Sequence, residues 1–300
     1  MQSTVADSRQ RALSGPLAAF ALLALLWGYN WVVMKIAMRY CGPLDFAALR
    51  GGFGVLLLFA ALIALRVPLK PRNVGMTMAL GLFQTTGFVG LISWSLSAGA
   101  AGKSAVLAYT MPFWMIALGW PFLHERLRGW QWPAVGCALA GLVLVLEPWH
   151  SDATLTSSLL ALAAGAAWGV SVIIFKRIRV ESRDDLLSTT TWQMCYGVLP
   201  LIAAALIVPE RPIEWNGTFE AALLFNIVAG MAVATLLWLY ILQRLPATIS
   251  SLSSLVVPVV GVLAAWIQLG ERPSVAEGAG MLLILAGLAL LALPQRATQR

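Results

Sequence analysis

Apolar residues run along this chain in ten blocks of about 20 residues, and short polar connections separate the blocks. A helix of about 20 residues crosses the roughly 30 Å hydrocarbon core of a bilayer, so each block predicts one membrane span. The predicted spans are approximately 16–38, 45–65, 74–97, 103–122, 130–147, 155–177, 187–208, 219–241, 247–268 and 275–293. The connections are too short to hold a soluble domain, and the pattern therefore predicts an all-α integral membrane protein.

The ten blocks form two sets of five that repeat each other. The residues Trp27-Gly28 and Lys35 recur 141 positions later as Trp168-Gly169 and Lys176. A shift of 146 aligns 104–144 with 250–290 without gaps and gives 11 identities in 41 positions. Either shift spans five crossings, an odd number, so we expect two inverted repeats in one compact transmembrane unit, 1–148 and 149–300.

Composition and charge agree with a polytopic membrane protein. Hydrophobic residues make up 60% of the chain and charged residues only 11%, far below the roughly 25% of soluble domains. The net charge of +7 comes from basic residues scattered singly, which does not indicate nucleic-acid binding. Fourteen of the 20 Lys and Arg residues fall on the face that holds both chain ends and five on the other. The positive-inside rule then predicts a multi-pass membrane protein with both termini in the cytoplasm.

Four short motifs resemble a known family. They are Leu26-Trp27-Gly28-Tyr29-Asn30, Ala48-Leu49-Arg50, Leu123-His124-Glu125-Arg126-Leu127 and Leu269-Gly270-Glu271-Arg272-Pro273. With these the chain resembles the drug/metabolite transporter superfamily in its ten-helix EamA-type form. The resemblance implies that spans one to four and six to nine enclose a central cavity, with spans five and ten outside it.

Members of that superfamily carry amino acids, other metabolites, drugs or nucleotide sugars. In the aromatic residues along the expected cavity, the chain resembles the bacterial YddG-type exporters of aromatic and other amino acids.

Trp27 and Trp168 are candidates for substrate binding. Each stands eight residues, about 12 Å of helix, from a lysine that we expect to extend to the interface, Lys35 in one half and Lys176 in the other. This spacing puts both tryptophans near the bilayer midplane, where inverted-repeat carriers bind their substrates. The alternative is that the two rings only pack between helices.

Several polar residues lie within apolar spans. Gln84 shares a predicted helix face with Phe88, and Asn30 corresponds to Ser171 in the repeat. Amides and hydroxyls in hydrocarbon either face a cavity or join helices by hydrogen bonds, and both roles stay open.

Pro112 and Pro258 occupy equivalent places within their spans, and each removes a backbone hydrogen bond and favours a kink. Tyr109 stands next to the first kink, and Ser254 belongs to a serine run that leads to the second. We expect gating from the prolines and cavity contacts from Tyr109 and Ser254; the alternative is simple helix packing.

Arg50 is the basic residue inside a span, where a charge costs about 2.5–3.5 kcal/mol on insertion scales. It binds a substrate carboxylate or serves the structure, and the sequence leaves both roles open. Its counterpart 143 positions later is Gln193.

Some residue types are missing where other functions would need them. No Asp or Glu lies in the middle third of a span, which argues against a carboxylate-coupled antiporter of organic cations. The two histidines and three cysteines are widely separated, so no metal site, cofactor or catalytic residue is predicted and the chain is not expected to be an enzyme.

Together with these residues, the resemblance implies an exporter of small metabolites in the bacterial inner membrane, amino acids with aromatic ones included, that works by alternating access. The alternatives are an exporter of other metabolites or drugs and, from other classes, a membrane enzyme or a lipid scramblase. The expected partners are the small-molecule substrate and the lipid bilayer. Transport direction, coupling ion and oligomeric state stay open, and a monomer is compatible with the sequence.

Overall fold

The computed structural model describes residues 2–123, 131–146, 153–178, 180–244 and 253–292. Within these ranges the chain is helical, with short connections and no β-strand. The predicted boundary between the repeats, at 148 and 149, lies outside the described residues.

Six helices belong to the first half of the chain. They are α1 (Gln2–Ala37), α2 (Pro43–Ala64), α3 (Val74–Gly81, Leu82–Gly87 and Phe88–Ala98 in succession), α4 (Ala101–Ala108), α5 (Met111–Leu123) and α6 (Gln131–Leu146). Five belong to the second half. They are α7 (Ala153–Lys176), α8 (Arg183–Ile207), α9 (Gly217–Phe225, Asn226–Val233 and Ala234–Arg244 in succession), α10 (Ser253–Leu269) and α11 (Val275–Ala292).

Six of these helices are long and apolar enough to cross a membrane. The segments are Gly15–Ala37, Pro43–Ala64, Val74–Ala98, Leu155–Lys176, Asp184–Ile207 and Gly217–Ile241. Large apolar side chains stand on the outer surface, such as Leu206 and Ile267, each 82% exposed. Such side chains suit contact with lipid and not with water. The chain is therefore a multi-pass membrane protein.

The middles of α3 and α9 are π-helical, over Leu82–Gly87 and Asn226–Val233. The hydrophobic pattern predicts both helices but gives no sign of the π turns. The two segments fall at matching places in the repeat, because Phe83-Gln84 corresponds to Phe225-Asn226. Single π turns inside α-helices occur frequently at functional sites.

The fourth predicted span, 103–122, is not one helix. α4 ends at Ala108, and α5 begins at Met111 with Pro112 as its second residue. Proline has no N–H to donate, and its ring clashes with the carbonyl four residues earlier, so the helix stops before it. Pro258, in contrast, is buried inside the continuous helix α10. The prediction of one kinked helix over 103–122 is therefore wrong, and the two prolines differ in effect.

Helix contacts between the two halves have counterparts in which the equivalent helices take part. α1 packs against α9 and α10, and its counterpart α7 packs against α3 and α5. α2 packs against α9, and its counterpart α8 packs against α3. The equivalent pairs α2 with α8 and α6 with α11 pack against each other.

The two Trp-Gly pairs illustrate this exchange. A Cβ on Gly28 would lie 2.5 Å from the Val260 side chain of α10, and a Cβ on Gly169 would lie 2.9 Å from the Trp114 Cβ of α5. Trp114 and Val260 are themselves equivalent at the shift of 146. Glycine is thus required in both copies for the close approach of equivalent helices.

The N-terminus of α2 is held by the connection between α8 and α9. The Glu210 carboxylate accepts from the Leu44 N–H, at 3.0 and 3.2 Å, and from the Asp45 N–H at 3.0 Å. A carboxylate stabilises the positive end of a helix and satisfies donors that have no partner within it.

The next residue, Arg211, fixes the end of α1. Its guanidinium donates to the carbonyls of Met38 and of Cys41, the latter at 2.8 Å. Burial raises the pKa of the Cys41 thiol to about 12, although Arg211 opposes this. Cys41 therefore stays a protonated packing residue.

The other end of α2 is joined to α8 by the connection from α2 to α3. Arg72 forms an ion pair of 2.7 Å with Asp185, and the Trp192 Nε1–H donates to the Leu69 carbonyl at 2.9 Å. The Arg72 side chain is 64% exposed, so water screens this pair.

The Gly-Glu-Arg motif near the end of α10 has a structural role. Gly270 has a φ of +69°, in the left-handed region that favours glycine. The turn lets Glu271 accept from the Ala101 N–H at 3.0 Å and the Gly102 N–H at 3.1 Å, at the start of α4. The corresponding Glu125 lies outside the described residues.

Lys35, expected at the interface, lies where α3 ends. Its ammonium donates to the carbonyls of Leu96, at 2.7 Å, and of Gly99, at 2.6 Å. A cation at a helix C-terminus satisfies carbonyls that have no partner within the helix.

Candidate functional site

The first candidate site lies where α1, α2 and α9 meet, and we call it the Arg50 junction, defined by Asn30, Met34, Arg50 and Asn226. Arg50 is only 8% exposed, and its Nη1 donates to the Met34 sulfur at 2.9 Å. Its guanidinium also stands 5.9 Å from the centre of the Phe46 ring. A thioether is a weak acceptor, so this charge has a weak partner.

Asn30 reaches the same sulfur from α1. Its Nδ2 donates to Met34 Sδ at 3.3 Å, and its side chain is 7% exposed. A Cβ on Gly230 would lie 2.6 Å from Asn30 Oδ1, so α9 packs directly on this amide. Two donors from α1 and α2 thus converge on one weak acceptor.

Asn226 completes the junction from α9 and is fully buried. Its Nδ2 donates to the Ala222 carbonyl at 3.0 Å, which leaves Oδ1 as the free acceptor. Asn226 stands about 14 Å along α9 and Arg50 about 10 Å along α2, and both helices start at the end where Glu210 caps α2. The two side chains therefore lie at similar depth.

Unpaired polar atoms concentrate in this junction. Within the described part of the chain, four buried side-chain atoms have no hydrogen-bond partner: Asn30 Oδ1, Arg50 Nε, Ser93 Oγ and Asn226 Oδ1. Three of the four belong to the junction. Since buried polar groups are normally paired, this concentration makes the Arg50 junction a candidate binding site.

The equivalent place in the second half, where α3, α7 and α8 meet, is called the Gln193 junction, defined by Thr85, Ser171 and Gln193. Gln193 is 3% exposed, and its Oε1 accepts from the Thr85 hydroxyl at 3.2 Å. The Ser171 hydroxyl donates to the Trp168 carbonyl of its own helix at 2.7 Å. Polar groups here pair with one another or with the backbone.

The two predicted tryptophans flank these junctions and contact other aromatic rings. Trp27 donates from Nε1 to the Gly230 carbonyl at 3.3 Å, and its ring lies 5.8 Å from Trp238. Trp168 meets Phe88 edge to face at 4.8 Å. The structure thus brings Trp168 and Phe88 together, and it places Trp27 against α9.

Neither Tyr109 nor Gln84 is among the residues that define these two junctions. Tyr109, buried at the end of α4, packs at 6.4 Å from the Trp31 ring. Gln84 is half-buried within the π turn of α3. The side chain of Ser254 lies outside the described part of the chain.

Met34 and Thr85 are the residues that sequence reasoning missed. Met34 stands four residues after Asn30, on the same helix face, and that spacing was the available signal. Among the described residues, no group of three or more His, Cys, Asp or Glu side chains could hold a metal ion.

Comparison with known proteins gives one family. A profile of the EamA-like transporter family matches residues 14–147 and 155–293. Similar proteins include the uncharacterized transporter YoaV of Bacillus subtilis, 26% identical over 89% of this chain and 92% of that protein. A probable amino-acid metabolite efflux pump of Escherichia coli is 27% identical over 89% and 91% of the two chains.

A riboflavin transporter of Rhizobium johnstonii is 25% identical over 95% of this chain and 93% of its own length. Among solved structures, a crystal structure of a protein matches with a TM-score of 0.62, over 92% of this chain and 96% of that one, at 19% identity. At that identity the likeness shows the fold alone.

Proposed function

Because the chain belongs to the EamA-like transporter family, we propose that it exports amino acids, aromatic ones included, across the bacterial inner membrane. Transport would proceed by alternating access around a central cavity. A relative named a probable amino-acid metabolite efflux pump supports both the substrate class and the direction. The single observation that carries the proposal is the Arg50 junction, which holds unpaired polar atoms inside apolar helices.

The proposed architecture is ten membrane spans in two inverted five-helix repeats, with both chain ends in the cytoplasm. The exchanged contacts between the halves and the matching π turns of α3 and α9 support it. The equivalent helices α2 and α8, and likewise α6 and α11, are five proposed spans apart in the chain. They would therefore cross the membrane in opposite directions, and the twofold axis that relates the two halves would lie in the membrane plane.

The proposed cavity lies between Trp27 and Trp168, where flat apolar rings would hold an aromatic side chain. The residues proposed to bind substrate are Trp27, Asn30, Gln84, Phe88, Tyr109, Trp168, Ser171 and Ser254. The break before Pro112 supports a hinge there, because the Thr110 N–H bonds to the Leu107 carbonyl, three residues back, and the regular helical pattern stops between Ala108 and Met111. Pro258 would be the hinge of the other half.

A transporter of other metabolites is the second candidate, favoured by the similarity to a riboflavin transporter. Uptake of labelled phenylalanine, threonine and riboflavin into liposomes that contain only this protein separates the two. We expect amino-acid uptake above protein-free liposomes and none of riboflavin. Absence of flux for any amino acid would overturn the proposal.

Trp168→Ala tests the cavity itself. We expect roughly tenfold slower phenylalanine uptake with a similar yield of folded protein, since the lost stacking energy is about 1–1.5 kcal/mol. Trp132→Ala, at an exposed position of α6, is the matched control and should keep the normal rate. An unchanged rate in Trp168→Ala would assign that ring to packing on Phe88.

A further inference from the structure

Arg50 is a buried cation without an anionic partner. The Asp and Glu residues in the described part of the chain lie near helix ends or in connections. None of them pairs with the Arg50 guanidinium. Charges inside a membrane span normally pair or face a pathway, because an unpaired charge in hydrocarbon is costly. Arg50, only 8% exposed, thus meets no carboxylate within the described part of the chain.

The neighbours of Arg50 present donors and acceptors in a definite arrangement. Arg50 and Asn30 both donate to Met34 Sδ, at 2.9 and 3.3 Å, so two donors converge on one point. Arg50 Nε adds a third donor that has no partner. An oxygen anion accepts such donors much better than a thioether does, and a planar guanidinium fits a carboxylate.

The same junction also holds two unpaired acceptors. Asn30 Oδ1 and Asn226 Oδ1 are buried and accept no hydrogen bond from the described residues. Two amide oxygens suit an ammonium group, which carries three donors and no acceptor.

Resting on the proposed function, we infer that the Arg50 junction binds the α-amino and α-carboxylate groups of the transported solute. Arg50 and the Asn30 amide hold the carboxylate, and the Asn30 and Asn226 oxygens hold the ammonium. The solute is therefore a zwitterionic α-amino acid, with its side chain directed away from the junction. Met34 gives up its contact with the two donors when the carboxylate binds.

The unpaired acceptors favour this class over phosphorylated solutes. Arg50 supplies one positive charge, and Asn30 and Asn226 are neutral. An amino acid gives its carboxylate to Arg50 and its ammonium donors to the two amide oxygens, whereas a phosphate monoester brings about two negative charges at neutral pH and no ammonium for these oxygens. Lys35, the nearest lysine on α1, is already bound to carbonyls of α3.

The test is competition against uptake of a labelled amino acid, phenylalanine or threonine, whichever the liposomes transport. With phenylalanine the competitors are unlabelled phenylalanine, phenylalaninamide, phenethylamine and 3-phenylpropionate, and matched derivatives serve for threonine. Loss of either charged group should weaken competition tenfold to a hundredfold, the range for a charge-assisted hydrogen bond. An amide or amine that competes as well as the amino acid would overturn the inference while transport stands. Absence of all amino-acid flux would overturn the proposed function as well.

Substitution of Arg50 gives a second readout. Arg50→Gln should lower the preference for phenylalanine over its amide at least tenfold, and Arg50→Lys should retain part of it. Gln193→Ala, at the equivalent position of α8, is the matched control and should keep the wild-type preference. Size-exclusion profile and melting temperature establish which variants fold, and the competition series on the wild-type protein decides the matter if Arg50→Gln does not.

An inorganic anion is the other source of negative charge for this junction. Replacement of chloride by gluconate on both sides should leave uptake and preference unchanged. Chloride-dependent uptake with equal competition by acid and amide would assign Arg50 to the inorganic ion and contradict the inference.

Discussion

The Arg50 junction and the Gln193 junction are built from equivalent helices but leave their polar groups in different conditions. In the first, a guanidinium and two amides retain unpaired atoms among buried side chains. In the second, Gln193 accepts from Thr85, and Ser171 donates to its own helix. Since paired groups hold helices together and unpaired ones are available to a ligand, the comparison supports a structural role for the Gln193 junction and the proposed recognition role for the Arg50 junction.

The N-termini of α2 and α8 also differ, in the groups that cap them. The α2 N-terminus receives a carboxylate from the other half, Glu210, whereas the α8 N-terminus is capped by its own Ser182, which accepts from the Asp185 N–H at 3.1 Å. The helix that carries Arg50 is thus capped from the other half of the chain, whereas the helix that carries Gln193 is capped by a residue next to it.

The largest difference between the junctions is expected when a charge is placed in the Gln193 junction. Gln193→Arg puts a guanidinium at a position that is 3% exposed, next to the Thr85 hydroxyl. We expect a loss of about 3 kcal/mol in stability, because the charge would lie in hydrocarbon without an anion. Melting of the protein in detergent, compared with wild type, measures this.

The control for that variant is Arg50→Gln, which removes a charge from the other junction and should cost far less stability. If Gln193→Arg melts at the wild-type temperature, the two junctions tolerate charge equally and the assignment of structure to the Gln193 junction is wrong.

An intermediate effect is expected from the hydrogen bond within the Gln193 junction. Thr85→Val keeps the shape of the side chain but leaves the Gln193 amide oxygen unpaired, at a cost of about 1–2 kcal/mol. Because Thr85 lies outside the proposed contacts with the amino-acid head group, the preference for phenylalanine over its amide should not change. Thermal melting and the competition assay report the two quantities separately.

Asn30→Ala is the reciprocal variant for that test. Its amide oxygen already lacks a partner, so little stability should be lost while amino-acid competition weakens. Should Thr85→Val change the preference and Asn30→Ala not, recognition belongs to the other junction.

Most of the helices follow from hydrophobicity, because crossing hydrocarbon demands a long apolar segment. The predicted span 45–65 is α2, Pro43–Ala64, and the predicted span 74–97 ends one residue before α3 does. The π turns and the break at 109–110 did not follow, because both depend on which carbonyl each N–H reaches and not on whether side chains are apolar.

The candidate site was predicted in part for the same reason. Arg50 and Asn30 stand out in the sequence because polar groups are costly in a span. Which of them stay unpaired depends on the neighbouring helix, as Gln193 shows by pairing with Thr85 from α3. Met34 looks like any apolar residue of its span until the fold brings Arg50 to its sulfur.

The smallest expected effect concerns the ion pair at the α8 end. Arg72→Gln removes a side chain that is 64% exposed, so the pair with Asp185 contributes at most about 0.5 kcal/mol and less as salt is added. Glu210→Gln is the matched variant at the α2 end and should cost about 1 kcal/mol, because the lost charge faces a helix N-terminus. Melting temperatures of the two variants are compared at low and at high salt. If Arg72→Gln loses as much stability as Glu210→Gln, the contacts at the two ends of α2 contribute equally.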